Sequence, residues 1–499
     1  MIFSSWQFIV VFLPVVLLIY FWLNHHRMTM IGKIWLVATS LFFYAYWEIK
    51  YLPLILGSIL FNYAIGTGLS QSHKYLKCET EENNRLKNRK VVLFIGVFAN
   101  LILLGYYKYT DFFLENINSV FGVSYALPHI ALPLAISFFT FTQIVYLVDS
   151  YRGETVKYNL LNYSLFVTFF PHLIAGPIVH HGQIMPQFES RWTLSIRYRN
   201  ILQGLFIFSI GLFKKVVIAD SFAVWATSGF DNNQALGFFD AWATSLSYTF
   251  QLYFDFSGYC DMAIGASLLF NIWLPINFNS PYKALDIQDF WRRWHITLSS
   301  FLRDYLYIPL GGNRSGEFQT YLNLFITFVL GGLWHGATWM FVIWGAMHGL
   351  ALMIHRMWRK LGRPLPPVLA WIATFMFVNV AWVFFRAKTL DDALRVLRGM
   401  TDFESIFGKT VENVSTSDLA WGGWLSDILL QVLPASFIGQ ISVYTALIAT
   451  FVLIFQKNSM EIASGNIGTK KIIYGIVLFS TAMLFMLAAT SSVFLYFNF

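Results

Sequence analysis

The chain has 499 residues, of which 57% are hydrophobic and only 12% are charged, about half the charged fraction of a soluble globular protein. The formal net charge is +8, but Lys and Arg gather in short loops between apolar runs, so they are interpreted as orientation signals and no nucleic-acid partner is predicted. The two cysteines, Cys78 and Cys260, are too few and too far apart in the sequence for a disulfide framework or a cysteine-ligated metal site.

Uncharged apolar runs of about 20 residues recur along the whole chain, and each is long enough to cross a bilayer as a helix. The runs do not alternate polar and apolar residues, which disfavours a transmembrane barrel. We therefore predict an all-α, polytopic membrane protein with about 11–13 transmembrane or re-entrant helices around a central cavity. The predicted spans are, in chain order, about 5–23, 31–47, 51–67, 91–108, 131–148, 160–180, 200–218, 236–254, 259–275, 320–354, 367–385, 437–455 and 472–497.

The first run, SSWQFIVVFLPVVLLIYFWL, follows no basic region and precedes no small-residue cleavage site, so we interpret it as a retained span and not as a signal peptide. The first loop holds Arg27 and Lys33, and residues 70–90 hold six Lys or Arg. Both loops are predicted to be cytoplasmic, which places the N-terminus outside in a multi-pass protein of the cytoplasmic (inner) membrane.

The run at 160–180 contains FFPHLIAGPI (169–178), in which two prolines and a glycine predict a broken or re-entrant helix. Such irregular backbone survives at membrane depth only where it is buried or lines a cavity. A re-entrant segment also keeps Arg191, Arg197 and Arg199 on the cytoplasmic side.

The densest polar region lies at 277–314, with the sequence NFNSPYKALDIQDFWRRWHITLSSFLRDYLYIPLGGNR. On a helix, Asp289 faces both Arg292 and Arg293, three and four residues later. An amphipathic helix at the membrane interface explains these charges as well as a substrate site does. It explains His295 less well, because Lys or Arg would serve an interface equally, so His295 is a candidate site residue.

The uncharged stretch 318–354 is too long for one crossing, and Gly331 and Gly332 near its middle predict a break just before His335. A histidine in a span can simply hydrogen-bond a neighbouring helix, and the glycines would suit close packing. Intramembrane ionisable residues are costly, however, and by default indicate function, and the glycines also leave room for a substrate. Because a neutral imidazole is a competent general base, His335 is the first catalytic candidate.

The segment TLDDALRVLRGM (389–400) interrupts the apolar pattern. Its three leucines share one helical face, and Thr389 and Asp392 are spaced as a capping box. We predict a helix along the membrane interface, followed by the largest extramembrane loop, to about residue 426. Neither segment is predicted to be catalytic.

Three other histidines are weaker candidates. His348 lies thirteen residues after His335, so on one continuous helix it would point away from it. His355, at the end of the same run, is interpreted as interfacial. His172 lies in the broken segment and is a candidate for lining a cavity.

The neighbours His180 and His181 form a possible metal-ligand pair of low specificity. The sequence has no HxxxH or HExxH motif and no carboxylate–histidine cluster at ligand spacing, so no metal is predicted. No GxSxG elbow, P-loop or dinucleotide fingerprint occurs in a convincing setting either.

Five strings carry a family resemblance: QLYFDFSGYCDMAIGASLLFNIWLPINFNSPYKALDIQDFWRRWHITLSSFLRDYLYIPLGG (251–312), GGLWHGATWMFVIWGAMHG (331–349), AWVFFRA (381–387), ISFFTFTQIVYLVDSYRG (136–153) and FFPHLIAGPI (169–178). They closely resemble the bacterial membrane-bound O-acyltransferases, in the branch of the alginate O-acetyltransferase and its relatives that act on other surface polysaccharides. The resemblance covers most of 1–400 and is weak over 400–499.

The resemblance implies a single membrane-embedded acyltransferase domain over 1–499. Its core lies at about 130–390, after an N-terminal helical bundle at 1–130. The interfacial helix and polar loop at about 388–426 and the C-terminal helices at 437–497 follow.

By the same resemblance, His335 in GGLWHG is the essential histidine of the family, and His295 stands at its second characteristic polar position. His335 then acts as the general base on a hydroxyl, and His295 either orients it or donates to the oxyanion. Three basic side chains of the polar region are candidates for holding the phosphates of the donor. The predicted substrate-binding residues are Arg292, Arg293, Lys283, Asp289, Trp334 and Trp294.

The implied function is O-acetylation of an extracytoplasmic polysaccharide such as alginate, with cytosolic acetyl-CoA as co-substrate and no resident cofactor. The implied partners are a periplasmic acetyl-transfer protein, the surface polysaccharide and membrane lipid, and the direct acceptor is either the glycan or a hydroxyl of the partner protein. A D-alanyl or longer-chain O-acyltransferase of the same family is one alternative. A secondary transporter or flippase is another, since it also has broken helices and midplane polar groups, but the two halves of this chain show no internal repeat.

Overall fold

The structure is a computed structural model that describes residues 1–74, 82–155, 158–232, 234–407, 441–488 and 495. Within these residues all regular elements are helical, which confirms the predicted all-α class. The first half of the chain forms α1 (Leu13–His25), α2 (Thr29–Ala45), α3 (Leu52–Lys74), α4 (Glu82–Leu104), α5 (Thr110–Phe121), α6 (Ile136–Arg152), α7 (Leu160–Thr168), α8 (Phe170–Leu173), α9 (His181–Glu189), α10 (Tyr198–Phe213), α11 (Asp220–Phe230) and α12 (Phe238–Leu269).

The second half carries the elements that surround the polar region and the candidate histidines. They are α13 (Ile287–Arg293), α14 (Ile296–Leu302), α15 (Glu317–His335), α16 (Trp339–Lys360), α17 (Pro367–Arg386), α18 (Leu390–Met400), α19 (Glu404–Phe407), α20 (Ile441–Ile454), α21 (Ser459–Ala463) and α22 (Thr469–Ala488). Short π-helical turns adjoin α1, α4, α10 and α14, at Gln7–Phe12, Gly105–Tyr109, Lys214–Ala219 and Arg303–Tyr307.

Seven helical segments in the described part of the chain are long and apolar enough to cross a membrane, which confirms a polytopic membrane protein. They are Gln7–His25, Ile49–Gln71, Lys87–Phe121, Tyr198–Phe230, Trp339–Lys360, Pro367–Arg386 and Thr469–Ala488. Two shorter apolar helices, α2 and α20, accompany them.

The predicted spans 236–254 and 259–275 are wrong as separate elements, because the chain forms the single 32-residue helix α12 through both. Its polar residues do not interrupt it, and several of them pair with neighbouring segments. Lys215 beside α10, for example, lies 2.9 Å from Asp255 of α12 and also pairs with Asp220 at 2.6 Å.

Glycines let α10 and α12 approach closely. A Cβ atom added at Gly211 would lie 2.6 Å from the carbonyl oxygen of Gly258, and one added at Gly204 would lie 2.7 Å from that of Gly265. Small residues at such crossings are typical of helix packing in membranes, where backbone contact replaces the hydrophobic driving force.

The broken helix predicted at 160–180 is confirmed. α7 ends at Thr168, the single turn α8 follows, and irregular backbone leads to α9. Pro171 lies in the first turn of α8, where its missing N–H costs no hydrogen bond. The N–H of Phe170 donates to Ser40 Oγ at 3.1 Å, so this irregular backbone is satisfied by the protein itself.

The break predicted just before His335 is misplaced. α15 continues through Gly331 and Gly332 to His335, and the chain turns only at 336–338. The physical reason is packing: a side chain at Gly332 would collide with the carbonyl oxygen of Phe341 in α16. Gly332 therefore serves the contact between α15 and α16 and does not end the helix.

The amphipathic helix predicted at 389–400 is confirmed as α18, and both halves of its capping box are present. Its buried face is formed by Ala393, Val396 and Met400, against α12 and α17. Leu390, the first residue of this helix, is exposed. Most of the predicted polar loop, from residue 408 onward, lies outside the described residues.

Candidate active site

His295 is completely buried in the turn between α13 and α14. Its φ of 43° is left-handed, a conformation that residues with a Cβ atom rarely adopt. Asn277 holds this turn: its backbone carbonyl accepts from the N–H of Ile296 at 3.0 Å. Its side-chain oxygen accepts from the N–H and the hydroxyl of Thr297 at 3.2 and 3.0 Å, and lies 3.2 Å from Nδ1 of His295.

His335 is the last residue of α15 and is buried. The carbonyls at the end of a helix lack intrahelical partners, and a cation is favourable there. Lys108 Nζ donates to the carbonyls of Trp334 at 2.5 Å and of His335 at 3.1 Å. The hydroxyl of Tyr109 donates to the carbonyl of Leu333 at 2.8 Å. These two residues from the turn after α4 therefore fix the backbone that carries His335.

The structure brings the two predicted catalytic histidines together, with 6.4 Å between their ring centroids. Aromatic rings enclose the pair: Trp344 and Phe385 lie 5.1 and 5.3 Å from the His335 ring, and Phe256 lies 4.8 Å from the His295 ring. Such an apolar wall excludes water and strengthens electrostatic interactions inside it.

A basic cavity of about 500 Å³ lies beside the turn that holds His295, and Trp291 and Ile296 line it. Guanidinium groups bind phosphate through paired hydrogen bonds, so this lining suits a phosphorylated ligand. Its basic lining residues are Arg292, Arg303, His355, Arg356 and Arg359.

A second, smaller space of about 60 Å³, here called the His335 cavity, is lined by His335, Trp334 and Lys108 among others. The basic cavity touches the same helix α15 at Thr327 and Phe328, eight and seven residues before His335 and therefore roughly 10–12 Å away along the helix axis. The two cavities thus meet α15 at different levels.

Of the predicted binding residues in the polar region, Arg292 lines the basic cavity. Asp289 and Arg293 form the ion pair that their spacing predicts, at 2.9 Å. Lys283 Nζ donates to the carbonyl of Gln456 at 2.7 Å. These last three side chains are not among the residues that line either cavity.

The two predicted tryptophans differ in their surroundings. Trp334 lines the His335 cavity and stacks on Phe141, with 5.2 Å between ring centroids. Trp294 is buried against Trp382 at 4.9 Å and Phe290 at 5.7 Å. Trp294 therefore supports the turn at His295, while Trp334 borders the space next to His335.

The prediction that His348 points away from His335 is wrong in its reason, because the chain reverses after α15 and the two residues lie on different helices. The buried His348 ring is 4.8 Å from Trp344, and Trp344 also contacts His335. Trp291 Nε1 donates to His348 Nδ1 at 3.2 Å. The Trp344 ring thus separates His348 from His335.

The two remaining histidine candidates, His355 and His172, differ in whether they line a cavity. His355 lines the basic cavity and lies 3.6 Å from Asp286, so it is more than an interfacial residue. His172 is buried but is not among the residues that line the two cavities.

His180 and His181 do meet a carboxylate, which the local spacing did not show because Asp149 precedes His181 by 32 residues. Their Nε2 atoms lie 2.7 and 3.0 Å from Asp149 Oδ2, and the Tyr305 hydroxyl donates to the same carboxylate. The N–H of Gly182 donates to His180 Nδ1 at 3.2 Å. In a neutral His180 ring the proton is then on Nε2, which donates to Asp149. The cluster is a hydrogen-bonded junction between α6, α9 and the turn after α14.

Sequence reasoning missed four residues at this site: Asn277, Lys108, Trp344 and Phe385. Lys108 gave a usable signal, because it is an ionisable residue at the end of the apolar run 91–108. Its partner His335 is 227 residues away, a pairing that local pattern cannot supply.

Comparisons with known proteins identify the family of the chain. Residues 6–390 match the model of the MBOAT, or membrane-bound O-acyltransferase, family. The chain is 49% identical to the peptidoglycan O-acetyltransferase of Helicobacter pylori, over 100% of this chain and 98% of that protein. It is 40% identical to the probable alginate O-acetylase AlgI of Pseudomonas aeruginosa, over 93% and 86%. With the teichoic acid D-alanyltransferase of Bacillus subtilis it shares 29% identity over 51% and 69%. The chain therefore belongs to the membrane-bound O-acyltransferase family and is an O-acyltransferase.

Proposed function

We propose that this protein is an O-acetyltransferase that takes acetyl from cytosolic acetyl-CoA and passes it, across or within the membrane, toward an extracytoplasmic polysaccharide. The observation that carries the proposal is a buried histidine pair with an arginine-lined cavity on one side and a small cavity at His335 on the other. The proposal needs no resident cofactor.

The basic cavity is the proposed donor site. Acetyl-CoA carries several phosphate charges, which the guanidinium groups of Arg292, Arg356 and Arg359 would hold. The excess of Lys and Arg on cytoplasmic loops favours a cytoplasmic position for this cavity, with the N-terminus outside the inner membrane. The His335 cavity then faces the extracytoplasmic side.

In the proposed reaction, His335 takes the proton of the acceptor hydroxyl as its oxygen attacks the thioester carbonyl carbon. The new C–O bond forms, the C–S bond breaks, and the departing sulfur of CoA receives the proton from His335. General-base help of this kind contributes typically about 10²–10⁴-fold to the rate. The aromatic wall around the pair protects the thioester from water.

The relatives support acetyl as the transferred group. The proteins named as O-acetylating enzymes match over 93–100% of this chain, whereas the D-alanyltransferase of B. subtilis matches over 51%. The higher identity to the peptidoglycan enzyme favours a cell-wall glycan over alginate as the final acceptor.

The size of the His335 cavity supports a small direct acceptor. Its volume of about 60 Å³ exceeds the roughly 10–15 Å³ that a cavity must offer to one water-sized group. A single hydroxyl fits there, whether on a sugar or on a side chain of a periplasmic partner protein that completes the transfer.

The test uses purified protein in detergent and acetyl-CoA labelled on the acetyl group, with peptidoglycan and alginate fragments as acceptors. Wild type is expected to release CoA, and His335→Ala to lower this rate by about 10²-fold or more. The control is His26→Ala, an exposed histidine after α1, which should match wild type. Equal CoA release by wild type and a folded His335→Ala would refute the proposal.

A further inference from the structure

We propose that Asn277 is a positioning residue that fixes the tautomer of His295, with the proton on Nδ1 and the lone pair on Nε2. His295 is then the hydrogen-bond acceptor of the histidine pair. The inference rests on the proposed function, and it decides between the two roles that the family resemblance implies for His295, which are to orient His335 or to donate to the oxyanion.

The orientation of the Asn277 amide follows from its neighbours. The backbone N–H of Thr297 can only donate, and the Asn277 atom 3.2 Å from it must therefore be the carbonyl oxygen. The amide nitrogen points the other way and donates to Sγ of Cys260 at 3.4 Å. If the Asn277 amide were flipped, its NH₂ group would face the backbone N–H of Thr297. Two buried donors would then face each other without an acceptor, which is costly.

The tautomer of His295 follows from the amide. Nδ1 of His295 lies 3.2 Å from the same Asn277 oxygen. Because that oxygen only accepts, a neutral ring carries its proton on Nδ1, and Nε2 holds the lone pair. A neutral His295 in this state has no N–H left to donate to an oxyanion.

The same residue also fixes where the ring points. The Asn277 carbonyl accepts from the N–H of Ile296, the residue directly after His295. Backbone and side chain of Asn277 thus hold both the left-handed turn and the imidazole plane. This matches the general arrangement in which a catalytic base is oriented by a third group.

The role that remains for His295 is to accept a hydrogen bond beside His335. With 6.4 Å between the ring centroids, a hydroxyl group that His335 deprotonates lies close to the His295 ring. His295 Nε2 accepts from this hydroxyl or from His335 and so orients the group that reacts, while its own Nδ1 proton stays on Asn277.

Kinetics of two substitutions test the positioning role. In Asn277→Leu the acceptor is gone, both tautomers become accessible, and kcat is expected to fall about 10²-fold with KM for acetyl-CoA within roughly two-fold. In Asn277→Asp the acceptor remains, so kcat recovers. The carboxylate favours the charged imidazolium, so the acid limb of the kcat profile moves to higher pH.

The control is Asn62→Leu, which removes another buried asparagine, hydrogen-bonded to Asn100. It should leave the pH profile in place. If Asn277→Leu keeps the kcat of wild type, or if Asn277→Asp neither restores kcat nor moves the profile, the positioning role is refuted.

The tautomer of His295 is measured independently of enzyme activity, by ¹⁵N NMR of protein labelled at its histidines. The His295 signals are identified by their loss in His295→Gln. Wild type should show a protonated Nδ1 and a bare Nε2 at this residue. The reverse pattern would overturn the inference even if acetyl transfer is confirmed. Conversely, a wild type that does not turn over acetyl-CoA refutes the proposed function and leaves the tautomer result standing.

Discussion

Arg292 and Lys283 carry the same charge in the same polar region, yet the structure gives them different surroundings. Arg292 lines the basic cavity, whereas the Lys283 ammonium is engaged by the carbonyl of Gln456. Sequence reasoning grouped the two because charge and proximity along the chain were the only criteria available. Substitution of Arg292 should therefore affect donor binding more than substitution of Lys283.

We predict that Arg292→Ala raises KM for acetyl-CoA by about 10-fold with little change in kcat, since a hydrogen bond to a charged phosphate contributes about 1.5–3 kcal/mol. Lys283→Ala, the matched control, should leave both constants unchanged. Initial rates over a range of acetyl-CoA concentrations measure the difference. Equal KM values for the two variants would contradict a donor site in the basic cavity.

At this scale the sequence supplied the two catalytic candidates but not what holds them. His335 and His295 stand out because an imidazole is unexpected in an uncharged run or at an interface. Asn277 is an ordinary polar residue in a polar stretch, and its importance appears only when the turn at His295 folds back on it. A contact between distant parts of the chain has no local signature.

Among the helices, the crossing of α10 and α12 depends most directly on residue size. The glycines of the two helices face each other's backbone, so even a methyl group has no room there. α12 also carries Phe256, which contacts His295, so this crossing sets one wall of the site.

We predict that Gly258→Ala destabilises the protein by about 1–3 kcal/mol, because its Cβ would lie 2.8 Å from the Gly211 carbonyl oxygen. Gly68→Ala is the matched control: Gly68 is also in a helix, but nothing lies within 4 Å of an added Cβ atom. There the better helix propensity of Ala should stabilise by up to about 1 kcal/mol. Thermal unfolding in detergent distinguishes the two, and a lower midpoint for Gly68→Ala than for Gly258→Ala would contradict the packing account.

Helices were predicted correctly where the local sequence determines the structure. They were predicted incorrectly where contacts with neighbouring helices determine it. The class, the broken segment at 160–180 and the capped helix α18 follow from apolar runs, prolines and a capping box. The division of α12 and the break at Gly331 were wrong, since polar residues and glycines there serve contacts with α10 and α16. A charged residue interrupts an apolar run and a glycine lowers helix propensity, but neither ends a helix whose neighbours pack against it.

For the molecule as a whole, one buried cluster of charges connects three helices. Lys215 is buried and stands between Asp220 and Asp255, joining α10, α11 and α12. Buried ion pairs are costly to form, but removing one partner is costlier, since the remaining charge stays in a medium of low polarity.

We predict that Lys215→Met destabilises the whole protein by about 3–5 kcal/mol. The double substitution Lys215→Met with Asp255→Leu should recover part of this loss, because it removes one of the stranded carboxylates. Lys50→Met, at an exposed lysine, is the control and should change stability by less than about 0.5 kcal/mol. If the double variant is less stable than Lys215→Met, the charge-balance account is wrong.

The contact from Lys108 to the end of α15 limits how this protein can be divided. The lysine lies in the predicted N-terminal bundle, and the carbonyls that it binds belong to the predicted core. The bundle is thus a structural part of the reaction centre and not an interchangeable anchor. Recombination could join the N-terminal bundle of a relative to this core. Function would be preserved only if that bundle places an equivalent cation at the carbonyls of Trp334 and His335. The two segments are therefore expected to be inherited together.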